Sequence, residues 1–157
     1  MSKTIIGIDP GKSGAVAILT PEQIVFHDCP NLMLGGKQAP DPLGMVDLLR
    51  GYPNAFIALE RVGAMPGQGV VSTFSFGTNY GIWLGAVAAL KLPYELISPN
   101  VWKKAIGVPV GEKQGAIAIA LRLFPQCAQD LRRKKDHGRA DALLLAEYLR
   151  RRNLVKS

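Results

Sequence analysis

Residues 6–19 read IGIDPGKSGAVAIL, in which two apolar runs flank a turn rich in glycine and proline. Apolar runs bounded by turn residues predict strands over residues 4–9 and 15–19, and a third strand follows at 23–27. Because short turns join the three strands, we expect an antiparallel meander. The first strand ends on Asp9, which is unusual, because burying a carboxylate is costly unless it is paired or binds a metal.

The remainder of the chain predicts two more strands, alternating with helices. Together with the meander they predict an α/β fold, a mixed five-stranded sheet of three antiparallel strands followed by parallel strands, with helices on both faces. The 157 residues, 48% of them apolar, predict a single domain over 1–157. Residues 30–42, rich in glycine and proline, predict a loop. The two further strands are expected at 55–60 and 94–97, and the helices at 41–50, 72–91, 99–106, 111–124 and 137–152.

Two more acids stand where a charge is unexpected. Glu60 ends the apolar run AFIALE, and Asp141 lies within the apolar helical run RADALLLAEYL. Ligands collect beyond the strand ends of an open α/β sheet, so adjacent strands would bring Asp9 and Glu60 to one shared ion, with Asp141 approaching from the last helix. Carboxylate oxygens suit Mg²⁺, with Mn²⁺ as an alternative, and leave places for phosphate oxygens. Two such ions in one active site can stabilise both the attacking and the leaving oxygen at a phosphate, so we predict hydrolysis of a phosphodiester bond.

Two neighbouring residues are candidates for a fourth ligand. His137 precedes Asp141 by four residues, so both project from one face of the last helix. His137 is therefore expected to complete the site as a ligand or as a proton-transfer group. Asp136 points elsewhere if it is helical and is interpreted as the helix cap. The alternative, that Asp136 is the fourth ligand from a position before the helix, stays open.

The net charge of +7 is concentrated in the C-terminal part of the chain. Residues 1–90 carry five Lys/Arg and six Asp/Glu, whereas residues 91–157 carry fourteen and six. This asymmetry indicates a surface that binds a polyanion through its phosphates, although a solvated basic surface that only aids solubility is an alternative. The basic clusters are Lys103-Lys104, Arg132-Arg133-Lys134-Lys135 and Arg150-Arg151-Arg152.

Membrane and export signals are not evident. No apolar run reaches the length of a membrane span, and the first residues, MSKTIIGIDPG, lack a signal-peptide pattern. Cys29 and Cys127 lack metal-ligand spacing and are interpreted as buried thiols, which is typical of a reducing compartment. These features predict a cytoplasmic protein of a bacterium or of a phage-infected host.

Three segments, IGIDPGKSGAVAIL, ALERVG and DHGRADALLLAEYL, resemble the motifs of the RuvC-type Holliday-junction resolvases, including phage-encoded members. The segments follow the family's order and spacing over nearly the whole chain. The resemblance implies an RNase H-like fold, a homodimer with two active sites, and symmetric metal-dependent nicking of four-way DNA junctions. Asp9, Glu60 and Asp141 match the three acids of those motifs. Whether a helicase partner exists is not readable from the sequence.

The resemblance also implies roles for further residues. Lys113 is similar to a lysine that the family places near the scissile phosphate. The family commonly has another acid where this chain has Gly138, which makes His137 the expected substitute. Residues 61–69 match a loop that reaches into the junction in relatives, and Met65 is its large apolar candidate to wedge against bases. The residues expected to contact DNA are Arg61, Met65, Lys103, Lys104, Arg132, Arg133, Lys134 and Lys135.

Three other functions fit parts of the pattern. A related nuclease of the same fold would act on flaps, replication forks or RNA–DNA hybrids and would be recognised by its substrate. A non-catalytic nucleic-acid-binding module predicts no dependence of function on Asp9 or Glu60. A phosphotransferase of the sugar-kinase/actin type shares the Asp-x-Gly hairpin but needs two such domains, which we do not expect in 157 residues.

Overall fold

The computed structural model describes residues 3–109, 111–112 and 114–156, and a mixed sheet forms its centre. The strands are β1 (Ile5–Asp9), β2 (Ala15–Leu19), β3 (Ile24–Asp28), β4 (Asn31–Leu34), β5 (Lys37–Pro40), β6 (Phe56–Glu60) and β7 (Tyr94–Ile97). The helices are α1 (Pro42–Arg50), α2 (Val70–Ala89), α3 (Pro99–Ile106), α4 (Gly115–Leu123) and α5 (His137–Lys156), with 3₁₀ turns at Pro125–Cys127 and Lys134–Asp136.

The five-stranded sheet has the order β3-β2-β1-β6-β7. β1, β2 and β3 pair antiparallel, whereas β6 and β7 continue the sheet parallel to β1. The fold class predicted from the sequence, three antiparallel strands followed by parallel strands, is therefore confirmed. None of the described helices is both long enough and apolar enough to cross a membrane.

The two faces of the sheet pack against different helices, because side chains alternate along each strand. On one face, Ile8 of β1 joins a core with Met45 of α1 and Trp83 of α2. On the other face α5 lies directly on β1 at Gly7, where a Cβ atom would stand 1.9 Å from the carbonyl oxygen of Ala142. Only glycine allows this approach, and the odd-numbered residues of β1 consequently face α5.

Local sequence signals set the helix ends. Asp41 caps α1, since its side chain accepts the N–H of Gly44 at 3.1 Å. Prolines stand in the first turn of α1 and of α3, where a missing N–H costs nothing. α3 ends at Gly107, whose φ of 90° is left-handed. α5 continues to Lys156, beyond its predicted end.

Two larger differences separate the prediction from the structure. Residues 30–42 were expected to be a loop, but they contain the hairpin β4–β5. Gly35 and Gly36 take φ values of 55° and 77° and form the two-residue turn that joins these strands. α4 begins at Gly115 rather than at residue 111, because the glycine there takes a φ of 83°, outside the helical region.

Candidate active site

The carboxyl ends of β1 and β6 carry two acids side by side. The two strands pair in parallel up to Ile8 and Leu59, and the next residues are Asp9 and Glu60. Both belong to the alternating set of side chains that faces α5. Neighbouring strands lie about 4.8 Å apart, so the two carboxylates are close neighbours at one edge of the sheet.

α5 brings a third acid and a histidine to the same edge. His137 and Asp141 lie one turn apart near the start of α5, and both line a pocket of about 440 Å³ together with Asp9 and Glu60. Lys103, at the middle of α3, lines the same pocket. The structure thus brings the four predicted metal ligands to one concave site, and adds a lysine there.

Burial raises the pKa values of the three acids, and repulsion by neighbouring carboxylates raises those of Asp9 and Asp141 further. Burial raises the pKa of Asp9 well above its ordinary value, and the charges of Glu60 and Asp141 raise it further. Burial, assisted by the charge of Glu60, raises the pKa of Asp141 to about 7. The charge of Lys103 lowers the pKa of all three. One described lysine lines the pocket with four acids, the three above and Glu112, so the pocket carries a surplus of negative charge that a cation would relieve.

Glu60 is oriented by a tryptophan. Trp102 is fully buried, and its Nε1 donates a hydrogen bond to Oε2 of Glu60 at 2.8 Å. Burial raises the pKa of Glu60, while the hydrogen bond from Trp102 lowers it. The sequence did not predict this contact. The available signal was that a buried indole N–H needs an acceptor.

The turn before α5 separates Asp136 from His137. Asp136 is buried, and its carboxylate accepts the backbone N–H and the guanidinium of Arg133, both at 2.8 Å. Although burial opposes it, the hydrogen bonds from Arg133 lower the pKa of Asp136. Asp136 therefore closes the 3₁₀ turn that leads into α5, and His137 lines the pocket, whereas Asp136 does not. A Cβ at Gly138 would stand 2.8 Å from the carbonyl oxygen of Ser13, so an acid at that position would collide with the turn after β1.

The donor set of the pocket suits a hard cation. Three carboxylates are the oxygen ligands that Mg²⁺ and Mn²⁺ prefer, whereas the imidazole is a softer ligand that these ions use less. As placed, however, the described His, Cys, Asp and Glu side chains include no group of three or more close enough together to hold one ion. Glu60 is bonded to Trp102 rather than turned toward a shared centre. The ligand types of the pocket fit the predicted metal, but the side chains would have to move closer together to bind one ion.

The residues predicted to contact DNA lie in several places. Lys103 is in the pocket rather than on an outer surface. Arg61 and Met65 are exposed in the loop after β6, at the same edge of the sheet as the acids. Lys113 lies outside the described residues. The remaining predicted contacts, Lys104, Arg132, Arg133, Lys134 and Lys135, are exposed on α3 and before α5.

The C-terminal arginine cluster is committed to contacts within the protein. Arg150 and Arg151 both pair with the buried Glu147, at 2.6 and 2.7 Å. Arg152 pairs with Glu95 of β7. The basic surface available to a polyanion is therefore smaller than the sequence suggested and lies nearer the pocket.

Comparison with known proteins adds a relative by sequence. No protein-family model matches the chain. The chloroplastic Holliday junction resolvase MOC1 of Chlamydomonas reinhardtii is 34% identical over 85 residues, which make up 54% of this chain and 10% of the relative. The chain thus spans about a tenth of the length of the curated relative it matches.

Two solved structures share the architecture. RuvC of Thermus thermophilus in complex with a Holliday junction substrate superposes with a TM-score of 0.61 at 17% identity, covering 93% of this chain and 91% of that one. A second structure of Thermus thermophilus RuvC gives a TM-score of 0.58 at 16% identity, with 96% of each chain covered. At these identities the likeness establishes the fold, so the predicted RNase H-like fold, in its RuvC form, is confirmed.

Proposed function

We propose that this chain is a structure-selective DNA endonuclease that resolves four-way (Holliday) junctions by symmetric, metal-dependent hydrolysis of phosphodiester bonds. The observation that carries the proposal is the pocket in which β1, β6 and α5 bring Asp9, Glu60 and Asp141 together. Its surplus of negative charge suits divalent cations, and the likeness to a junction resolvase and to RuvC supports a junction as the substrate. In this proposal residues 1–157 act as one nuclease domain.

Within the pocket, Asp9, Glu60, Asp141 and His137 are the residues that we propose to hold two Mg²⁺ or Mn²⁺ ions. When bound, the ions supply positive charge at the scissile phosphate. The three carboxylates come from separate elements, so they surround the place where a phosphate would sit. His137 is proposed to complete the ligand set or to transfer a proton, from the face of α5 that carries Asp141.

The positive residues around the pocket are proposed to bind the DNA phosphates. Lys103 is the described lysine beside the acids, and we propose that it stabilises the negative charge that develops on the scissile phosphate. Lys113 has the same proposed role on the resemblance alone. Arg61 would contact phosphate and Met65 would touch bases from the loop after β6. Weaker, salt-sensitive contacts would come from Lys104, Arg132, Arg133, Lys134 and Lys135.

A homodimer is proposed on the outer face of α2. Val70, Val71 and Phe74 are 85%, 84% and 77% exposed, an unusual concentration of apolar surface on one helix. The same helix carries glycines whose missing Cβ atoms would meet nothing within 4 Å, so a second helix could approach its backbone closely. Two copies would supply one active site for each strand to be cut. The glycines are Gly77, Gly81 and Gly85.

The proposal is tested by cleavage of a synthetic four-way junction in Mg²⁺, with linear duplex, flap and RNA–DNA hybrid beside it. We expect paired symmetric nicks in the junction alone, lost in Asp9→Asn. Asp47→Asn is the matched control, because Asp47 is an exposed acid on α1 whose partner is Arg50. Both variants remove one carboxylate charge, but only the first removes it from the pocket.

The other functions predict different results in the same experiment. Tight junction binding without cleavage in Mg²⁺ or Mn²⁺ would make the chain a binding module. Cleavage of flaps or hybrids in preference to junctions would make it a different nuclease of the same fold. Cleavage that survives in Asp9→Asn would contradict the assignment of the pocket.

A further inference from the structure

The hairpin β4–β5 projects from the same edge of the sheet as the carboxylates. β3 runs in the direction of β1 two strands away, so its last residue, Asp28, lies about 10 Å from Asp9. The hairpin begins directly afterwards, at Asn31. The loop 61–69 leaves β6 on the other side of β1. Two projections therefore flank the pocket, and the sequence predicted only the loop as a contact.

The base of the hairpin is fixed to the turn that follows Asp9. The side-chain Nδ2 of Asn31 donates to the carbonyl oxygen of Lys12 at 3.2 Å. Also at the base, the N–H of Asp41, just after β5, donates to the carbonyl oxygen of Pro30, just before β4, at 3.0 Å. A two-stranded hairpin alone is marginally stable in water. These contacts stabilise the hairpin at its base and join it to the turn after β1.

The outer half of the hairpin is exposed and partly apolar. Met33 and Leu34 are 63% and 64% exposed, and they pair across the hairpin with Gln38 and Lys37. At a rise of about 3.3 Å per residue, these two pairs and the two-glycine turn extend about 7–10 Å beyond the pairs at the base of the hairpin. Residues 31–40 contain one lysine and no acid. The tip thus combines two large apolar side chains with a positive charge.

We infer that this hairpin is a second DNA-contacting element, in which Met33 and Leu34, on opposite faces of the ribbon, contact bases on the two sides of the junction's branch point while Lys37 binds a phosphate. The inference rests on the proposed function, because it requires DNA to be held at the carboxylate pocket, whose edge of the sheet the hairpin shares. A two-stranded β-ribbon fits the major groove, and exposed apolar side chains wedge against unstacked bases. A branch point supplies such bases, since stacking is interrupted there.

The test is the double variant Met33→Ser/Leu34→Ser. Binding to a junction and to a linear duplex is measured without metal by fluorescence anisotropy, and 2-aminopurine at the branch point reports unstacking. We expect junction affinity to fall about tenfold, a typical effect of losing stacking contacts with bases, and the 2-aminopurine signal to disappear. Duplex affinity should change less than twofold. The control is Leu43→Ser, because Leu43 is 67% exposed on α1, which packs on the opposite face of the sheet.

Lys37→Gln tests the phosphate contact separately. Loss of one phosphate contact should lower the slope of log Kd against log salt by about one and leave the 2-aminopurine signal in place. An unchanged slope would remove Lys37 from the inference. Far-ultraviolet circular dichroism and the melting temperature show that each variant is folded.

The outcomes separate the hairpin from the proposed function. If the double variant binds, unstacks and cuts the junction like the unaltered protein, the hairpin role is overturned while the nuclease stands. If the double variant instead becomes monomeric and loses duplex binding equally, the hairpin is a protein contact and the inference is overturned. A protein that binds no junction even before alteration overturns both.

Discussion

Trp102 and Glu60 are joined by a hydrogen bond of 2.8 Å between the indole N–H and Oε2. The bond connects the buried side of α3 to the end of β6 and favours the charged form of an acid whose pKa burial raises. A carboxylate has further acceptor capacity, so Glu60 can keep this bond and still bind a cation. The tryptophan therefore acts on the pocket through Glu60, as a positioning residue.

We predict that Trp102→Phe moves the acidic limb of the pH–rate profile upward. Removing the hydrogen bond raises the pKa of Glu60, so a higher pH is needed before this carboxylate is charged and able to bind metal. The direction follows because the lost hydrogen bond stabilised the charged form of the carboxylate more than its neutral form. The measurement is junction cleavage against pH at a fixed Mg²⁺ concentration below saturation, because saturating metal would displace the proton from Glu60.

Trp83→Phe is the control for this prediction. Trp83 is equally buried but lies in the core on the other face of the sheet. Both variants should lose some thermal stability, because each leaves unfilled volume. Only Trp102→Phe should move the pH profile. A shared shift, or none in either, would mean that the indole N–H does not set the pKa of Glu60.

Asp141 should make the metal-free protein less stable as the pH rises. Its pKa is about 7 in the folded protein, raised by burial and by Glu60, against an ordinary value of 3.8. The folded state thus binds the proton more tightly than the unfolded state, and this stabilisation is lost as the pH rises from about 4 through 7. Asp141→Asn should therefore become progressively more stable than the unaltered protein over this range, by on the order of 2–4 kcal/mol in total. Chemical denaturation without metal, at a series of pH values, measures this difference.

Added Mg²⁺ provides an internal check on that prediction. The ion should stabilise the unaltered protein at neutral pH, because it relieves the repulsion among the carboxylates, and should stabilise Asp141→Asn less. The gap between the two proteins should then narrow. A gap that is independent of both pH and Mg²⁺ would show that Asp141 is not a charged member of the pocket.

The sequence located the acids but not the groups that tune them. Asp9 and Glu60 could be assigned because strand alternation and the ends of apolar runs are local properties. The contact of Trp102 with Glu60 depends on how α3 packs against β6, which no local pattern encodes. The hairpin was missed because its second strand, β5 (KQAP), has no apolar alternation and contains a proline. The two glycines before it therefore indicated a loop.

Lys103 and Lys104 are adjacent in sequence but should have different roles. Lys103 lines the pocket and lowers the pKa of all three acids, whereas Lys104 is exposed. Lys103→Met should slow cleavage at saturating DNA about 10²-fold, as expected when a group that stabilises transition-state charge is lost. Lys104→Met should leave this rate unchanged, weaken binding most at low salt, and lower the slope of log Kd against log salt by about one. Single-turnover cleavage and anisotropy measure the two effects, and equal losses of rate would contradict the distinction.

Substitutions at the glycines of α2 distinguish effects on the stability of one chain from effects on its self-association. A Cβ at Gly81 meets nothing within 4 Å in the single chain, so Gly81→Ala should stabilise the isolated fold by about 0.5–1 kcal/mol through helix propensity. Gly81→Leu should instead keep two copies apart, because the proposed dimer needs close backbone approach at α2. Ala105→Leu, at an exposed position of α3, is the control and should remain dimeric. Sedimentation equilibrium gives the oligomeric state, and a dimer that tolerates leucine at position 81 would place the interface elsewhere.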